Sequence, residues 1–203
     1  LIITAVTAYG VATSPTLMTA IFTNKILFWG LVIAEFALVF SVTAAINRLS
    51  LASATLLFIL YSIVNGATLS VIFYAFSMTV IVKTFAVTAG TFGVMALIGY
   101  TTKKDLTSIG KLLFMALIGL MIATVVNAFV RSSGFDLIAS YIGVIIFVGL
   151  TAWDTQKIKL MLSQAPDTSE SYQKMALMGA LSLYLDFINL FLYLLRIFGN
   201  NRN

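Results

Sequence analysis

The sequence predicts an all-α membrane protein, a bundle of about seven transmembrane helices with acidic side chains buried inside it. Three observations predict this. Of 203 residues, 61% are hydrophobic and 9% charged, with a mean hydropathy of +1.06, whereas a soluble domain carries about 25% charged residues. A domain of this length has too little interior to hide so much apolar surface, so the excess must face lipid. The apolar residues also fall in span-length runs between short polar punctuations, and three acids sit inside those runs.

The first span runs from Leu1 to about Ile21 and is interrupted at Ser14 and Pro15. Leu1 already lies in an apolar run and no initiator Met precedes it, so the reading expects a truncated N-terminus and finds no signal peptide. The second span covers about Ile26 to Ile46, the third Leu51 to Ala75 and the fourth Val80 to Tyr100. The fifth covers Leu112 to Val130, the sixth Asp136 to Leu160 and the seventh Met175 to Phe198. Polar breaks separate them at Thr23-Asn24-Lys25, Asn47-Arg48, Thr101 to Lys111, Arg131 to Gly134 and Ser163 to Lys174. No soluble domain, low-complexity tract or internal repeat stands out, and residues 1–203 read as a single transmembrane helical domain.

Absent residue types narrow the chemistry. Without cysteine there are no disulfides, thiolate metal sites or Cys nucleophiles. Without histidine there is no Ser-His-Asp triad, helical zinc-protease motif or haem ligand, and any pH response must come from carboxylates or lysines. The net charge of +5 is spread over loop ends, which argues against nucleic-acid binding. The predicted surroundings are membrane lipids. Arg48, Lys103, Lys104, Lys111, Lys157, Lys159 and Lys174 fall on one side of the membrane; Lys25, Lys83, Arg131, Arg196 and Arg202 fall on the other. The positive-inside rule makes the first side cytoplasmic, with the N-terminus inside. Small residues at Gly66 and Ser70, and at Ala86, Ala89, Gly90 and Gly93, predict close helix approach in spans three and four.

Glu35, Asp154 and Asp186 carry the chemistry. An acid at the centre of a bilayer costs about 2.5–3.5 kcal/mol on insertion scales, so it faces the protein interior and commonly has a function. Spans six and seven form a hairpin about a polar centre near Asp167-Thr168. Asp154 precedes that centre by about 14 residues and Asp186 follows it by about 18, so at about 1.5 Å per residue antiparallel neighbours would bring both to similar depth. Ser182, Asp186, Asn189 and Tyr193 share one helix face, as do Thr151 and Asp154, Thr124, Asn127 and Arg131, and Ser62 and Asn65. Converging, these stripes would make a hydrated path; the alternative is interhelical hydrogen bonding that holds the bundle together. Two carboxylates in a low-dielectric site cannot both ionise comfortably and share a proton, which a divalent cation can replace. Ca²⁺ would need water, Asn189 or carbonyl oxygens to complete its shell.

Ser182-Leu183-Tyr184-Leu185-Asp186-Phe187-Ile188-Asn189-Leu190-Phe191, followed by Leu194-Leu195-Arg196, closely resembles the last-helix signature of the transmembrane Bax inhibitor motif family. Trp153-Asp154-Thr155-Gln156-Lys157-Ile158-Lys159 is similar to that family's sixth-helix motif, where Tyr often stands at Trp153. The resemblance, to a bacterial member, implies a bundle with the C-terminal helix at its centre, wrapped by the other six. It implies a pH-sensitive calcium leak in the bacterial inner membrane, gated by an aspartate pair matching Asp154 and Asp186, with Ca²⁺ as the permeant or bound ion and no other cofactor. Glu35 matches an acidic position in the family's second helix. Arg48 is the nearest candidate for an arginine that latches an aspartate, at a spacing from Glu35 longer than the family pattern.

The expectation is therefore a non-enzymatic ion pathway, with Glu35, Arg48, Ser182 and Asn189 as path or latch residues. Two rivals belong to other classes. Intramembrane aspartyl proteases also use two embedded aspartates, but with Tyr-Asp and Gly-x-Gly-Asp motifs; here Asp154 follows Trp153, and Asp186 follows Leu183-Tyr184-Leu185. A non-conducting regulator that binds a membrane protease or another partner is the second.

Overall fold

Backbone amides have no water to bond in hydrocarbon, so an apolar run that crosses a bilayer is forced to satisfy them within itself as helix. The computed structural model describes residues 1–46, 48–130, 132–163 and 169–200, and among these it is helical with no strand. The helices are α1 (Ile2–Ala12), α2 (Pro15–Thr23), α3 (Lys25–Ala45), α4 (Leu51–Leu69), α5 (Ile72–Ala75), α6 (Met78–Thr101), α7 (Thr107–Val130), α8 (Ser133–Ser163) and α9 (Glu170–Asn200). Among the described residues six segments are long and apolar enough to span a membrane, and up to seven if α1 and α2 together make one. The protein is an all-α, multi-pass membrane protein.

Local chemistry explains the breaks. Ser14 precedes a proline, which pushes it out of the helical region; its backbone is extended and its hydroxyl accepts the Leu17 N–H, with Pro15 opening α2. The interrupted first span is thus two helices bent by 95°. Asn24 ends α2 and caps α3, accepting the Ile26 and Leu27 amides at 3.0 and 3.2 Å. Ser50 caps α4 through the Ser53 amide. The third span turns at Ser70, whose hydroxyl bonds the Ala67 carbonyl at 2.6 Å, before α5. Thr107–Lys111 and Glu170–Lys174, read as loop, are helical and extend α7 and α9 into the polar breaks. Asn47, Arg131, Asp167, Thr168 and Arg202 lie outside the described residues, so the centre assumed for the last hairpin and one member of the span-five stripe do too.

The chain divides into two compact units, Leu1–Met78 with Pro166–Met178 and Thr79–Ala165 with Gly179–Asn203. In the first, α4 packs against α1 and α3. Gly66 permits the α1 contact: a Cβ there would stand 2.6 Å from the Thr4 carbonyl oxygen and 2.8 Å from Thr7 Cβ. Glu170, at the start of α9, accepts the otherwise orphan Leu51 N–H at the start of α4 at 2.9 Å. In the second unit α6, α7, α8 and α9 meet in one core, built on Leu120, Ile146, Phe147, Leu150, Leu190 and Leu194 with Phe92 and Leu113 packed against it. The small residues of span four do not serve helix packing as expected. Ala86, Ala89, Gly90 and Gly93 are exposed, and nothing stands within 4 Å of a Cβ built at Gly90 or Gly93. Polar and small side chains share this helix, and its buried face is taken by Ile81, Thr84 and Thr88 instead.

Candidate functional site

α8 and α9 run antiparallel in the second unit. Gly143 and Phe147 of α8 meet the ring of Tyr193, and Ile158 meets Gly179, so numbering rises along one helix as it falls along the other. Interpolated between those contacts, Asp154 stands level with the stretch 182–186. The two aspartates thus lie within about one turn of the same depth. The Asp154 carboxyl is within Coulombic reach of Asp186. Asp186 is 4% exposed, and its Oδ2 is buried with no hydrogen-bond partner among the described residues. Asp154 is half-buried, toward the polar end of α8, and within Coulombic reach of Lys157.

Aromatic rings pack α9 against α6 next to the acid in sequence. Phe187, the next residue, meets Phe85 and Phe92 of α6 edge-on, with centroids 5.6 and 5.4 Å apart. Hydroxyls near the pair are satisfied locally: Thr151 and Thr155 of α8 donate to the carbonyls one turn back, both at 2.7 Å. Ser182 and Asn189, on the Asp186 face of α9, are half-buried, and the Asn189 amide donates to the Leu185 carbonyl at 2.8 Å. That face is buried at Asp186 and partly open on either side of it. Among the described residues no group of three acidic, histidine or cysteine side chains could hold a metal ion.

The other expected residues stand elsewhere. Glu35, half-buried on α3, accepts hydrogen bonds from the Thr68 hydroxyl and the Asn65 amide of α4, all within the first unit. Arg48 is exposed in the turn after α3, and among the described residues it pairs with no carboxylate; a latch role rests on the resemblance alone. Asn127, placed in a polar stripe, instead ties the turn between α7 and α8. Its amide donates to Asp136 Oδ1 at 2.7 Å and to the Ser132 carbonyl at 3.2 Å, and its oxygen accepts the Ser132 N–H.

A family model described as Inhibitor of apoptosis-promoting Bax1 matches residues 1–203, the whole chain. The chain belongs to this family. Several bacterial proteins are similar to it along most of its length. The Inner membrane protein YbhL of Escherichia coli K12 is 52% identical over 204 residues, covering 100% of this chain and 87% of that protein. An uncharacterized protein of Borreliella burgdorferi is 47% identical, covering 100% of this chain and 88% of its own length. An uncharacterized membrane protein of Streptococcus pyogenes is 39% identical over 91% of this chain and 80% of its own. Membership in the Bax inhibitor family agrees with the two motifs that surround Asp154 and Asp186.

One residue of the first motif has a part that sequence reasoning missed. Gln156 is buried and clamps the α6–α7 loop: its oxygen accepts the Leu106 N–H at 2.9 Å, and its amide donates to the Lys104 carbonyl at 2.8 Å. An amide side chain about one turn beyond Trp153 was the available signal, but nothing in the sequence names a partner 50 residues away.

Proposed function

We propose that this protein is a pH-sensitive cation leak pathway of the bacterial inner membrane, passing Ca²⁺ and gated by Asp154 and Asp186 as a unit. The lysine-rich α6–α7 loop and the end of α8 face the cytoplasm in this reading, and the N-terminus lies inside. The observation that carries it is the buried Asp186 Oδ2, without a hydrogen-bond partner among the described residues and with a second carboxyl in Coulombic reach. A carboxylate oxygen in that setting is stabilised by a proton or by a cation, and the two compete for it. Protonation removes the cation's ligand and deprotonation restores it, so a pair without histidine suffices to couple pH to passage. Ser182 and Asn189 supply further oxygens on the same helix face, and water completes the coordination of a passing Ca²⁺. Glu35 is a further acidic station, held by Thr68 and Asn65.

The test is Ca²⁺ flux into liposomes that contain only the purified protein, across a range of pH. Flux that changes with pH, and loses that change in Asp186→Asn, is expected. Absence of flux at every pH would remove the conducting reading in favour of a regulatory one. Cleavage of a helical substrate by the same preparation would turn it toward proteolysis.

A further inference from the structure

Trp153, Gln156, Lys157, Leu160 and Met161 recur at helical spacing and so share one face of α8. With Thr107 at the start of α7 they line a cleft of about 250 Å³. Trp153 is seated against α7, because Gly110 leaves room for the indole where any Cβ would run into it. Lys157 Nζ stands 5.3 Å from the Trp153 ring centroid. The α6–α7 loop, which carries the exposed Lys103 and Lys104, is pinned beside this face by the two Gln156 hydrogen bonds. Lys159 Nζ donates to the Tyr100 carbonyl at 2.6 Å and lies 4.8 Å over the Tyr100 ring.

The charge census favours an anion. Lys103, Lys104, Lys111, Lys157 and Lys159 gather at this end of α6, α7 and α8, against Asp105 and Asp154. Asp105 is already engaged as the cap of α7, accepting the Thr107 N–H at 2.8 Å. Among the described residues none of these lysines forms an ion pair. Depth favours a lipid. The backbone of Ala152 touches Gly99, two residues from the end of α6, so Trp153 lies at the level where that helix leaves the membrane. Aromatic rings and lysines at that level are the interfacial combination, and basic pockets between helix ends bind anionic head groups.

We propose that this cleft binds an anionic phospholipid, its phosphate between Lys104 and Lys157 and its glycerol and upper acyl chain along Trp153. The sequence contains two tryptophans, Trp29 and Trp153, so each can be made the single reporter. The full chain carrying Trp29→Phe is placed in phosphatidylcholine bilayers, with phosphatidylglycerol brominated high on its acyl chain added in steps. Quenching of Trp153 by the brominated phosphatidylglycerol is compared with quenching by phosphatidylcholine brominated at the same place. A preference of about fivefold for phosphatidylglycerol is expected, collapsing toward one in the Lys104→Gln, Lys157→Gln variant and at high salt. The same lysine substitutions are also made in the Trp153→Phe chain, where the exposed Trp29, 60% accessible on α3, should respond to both lipids alike with and without them, which shows that the variants remain folded and inserted. Equal quenching by the two lipids at Trp153 overturns the proposal, as does a preference that survives the double substitution. If soluble polyglutamate shifts Trp153 emission while the lipid preference is absent, the cleft belongs to an acidic protein partner and the lipid reading is wrong.

Discussion

Glycine permits close helix contact at some positions of this protein and meets open space at others. At Gly66 a methyl group would meet the backbone of Thr4, which cannot swing aside as a side chain can. Gly66→Ala should therefore destabilise by about 1–3 kcal/mol, seen as a lower Tm of the detergent-solubilised protein, whereas Gly90→Ala, inside α6 with open space around it, should hold or raise Tm because alanine is the better helix former. A second residue-scale expectation concerns Asp105, which is fully exposed between α6 and α7. The Thr107 hydroxyl and N–H hold its carboxyl below the ordinary aspartate range, with Lys111 adding to them. A carboxyl with a lowered folded-state pKa stabilises the fold above its unfolded pKa, and that stabilisation is lost as pH falls through the folded value. Hydrogen exchange at the Thr107 amide should thus be flat with pH after correction for intrinsic rate, and protection should fall only below the ordinary carboxylate range. In Asp105→Asn that acid step should vanish. Asp186 belongs to the same scale: its presence in an apolar helix was enough to mark it for burial, because an acid in lipid is expensive, but its unpartnered oxygen depends on which atoms the neighbouring helices bring.

At the scale of elements, each span seen as an apolar run is helical, broken inside the first at Ser14 and inside the third at Ser70, and extended at several ends. Caps decide them: Asn24, Ser50 and Asp105 each stand where a side-chain oxygen can take an orphan amide. Such residues are visible in the sequence, yet the 95° bend at Ser14 is not, since Pro15 is equally at home at the start of a straight continuation after a short loop. The Gln156 clamp holds the α6–α7 loop to α8. Gln156→Leu strips partners from the Leu106 N–H and the Lys104 carbonyl together, and should lower stability by about 1–3 kcal/mol while speeding exchange at Leu106. Gln156→Glu keeps the acceptor for Leu106 but sets an acceptor oxygen against the Lys104 carbonyl, and should recover stability only at low pH, where the protonated carboxyl donates to it. No recovery on acidification would mean that the Lys104 bond does not hold the loop.

The whole molecule is the scale of the pH response. If Asp154 and Asp186 titrate as one unit, replacing either removes the like-charge interaction and the titratable step together. Asp154→Asn and Asp186→Asn should each flatten the pH dependence of liposome Ca²⁺ flux, and the double variant should add little, because coupled sites are non-additive. Asp136→Asn is the control. Its carboxyl is exposed at the start of α8, bonded to Asn127, and an amide oxygen can accept the same bond. A full pH response in the Asp154→Asn, Asp186→Asn chain would place the sensor elsewhere, with Glu35 the next carboxyl to replace.

Composition and periodicity alone determined that this chain spans a membrane, where its helices run, and which acids must be hidden. Those properties follow from transfer free energies that depend on residue type and local spacing, and two local motifs were enough to point to the family. Tertiary structure alone decided which small residues bring helices together, since Gly66 meets a backbone and Gly90 meets nothing although both read as packing glycines. It also decided that Asn127 serves a turn rather than a polar path, and that Gln156 holds a loop. Hydrogen-bond partners 9 to 50 residues apart are set by how helices pack, and packing depends on shape across the whole fold, which no local window of sequence contains.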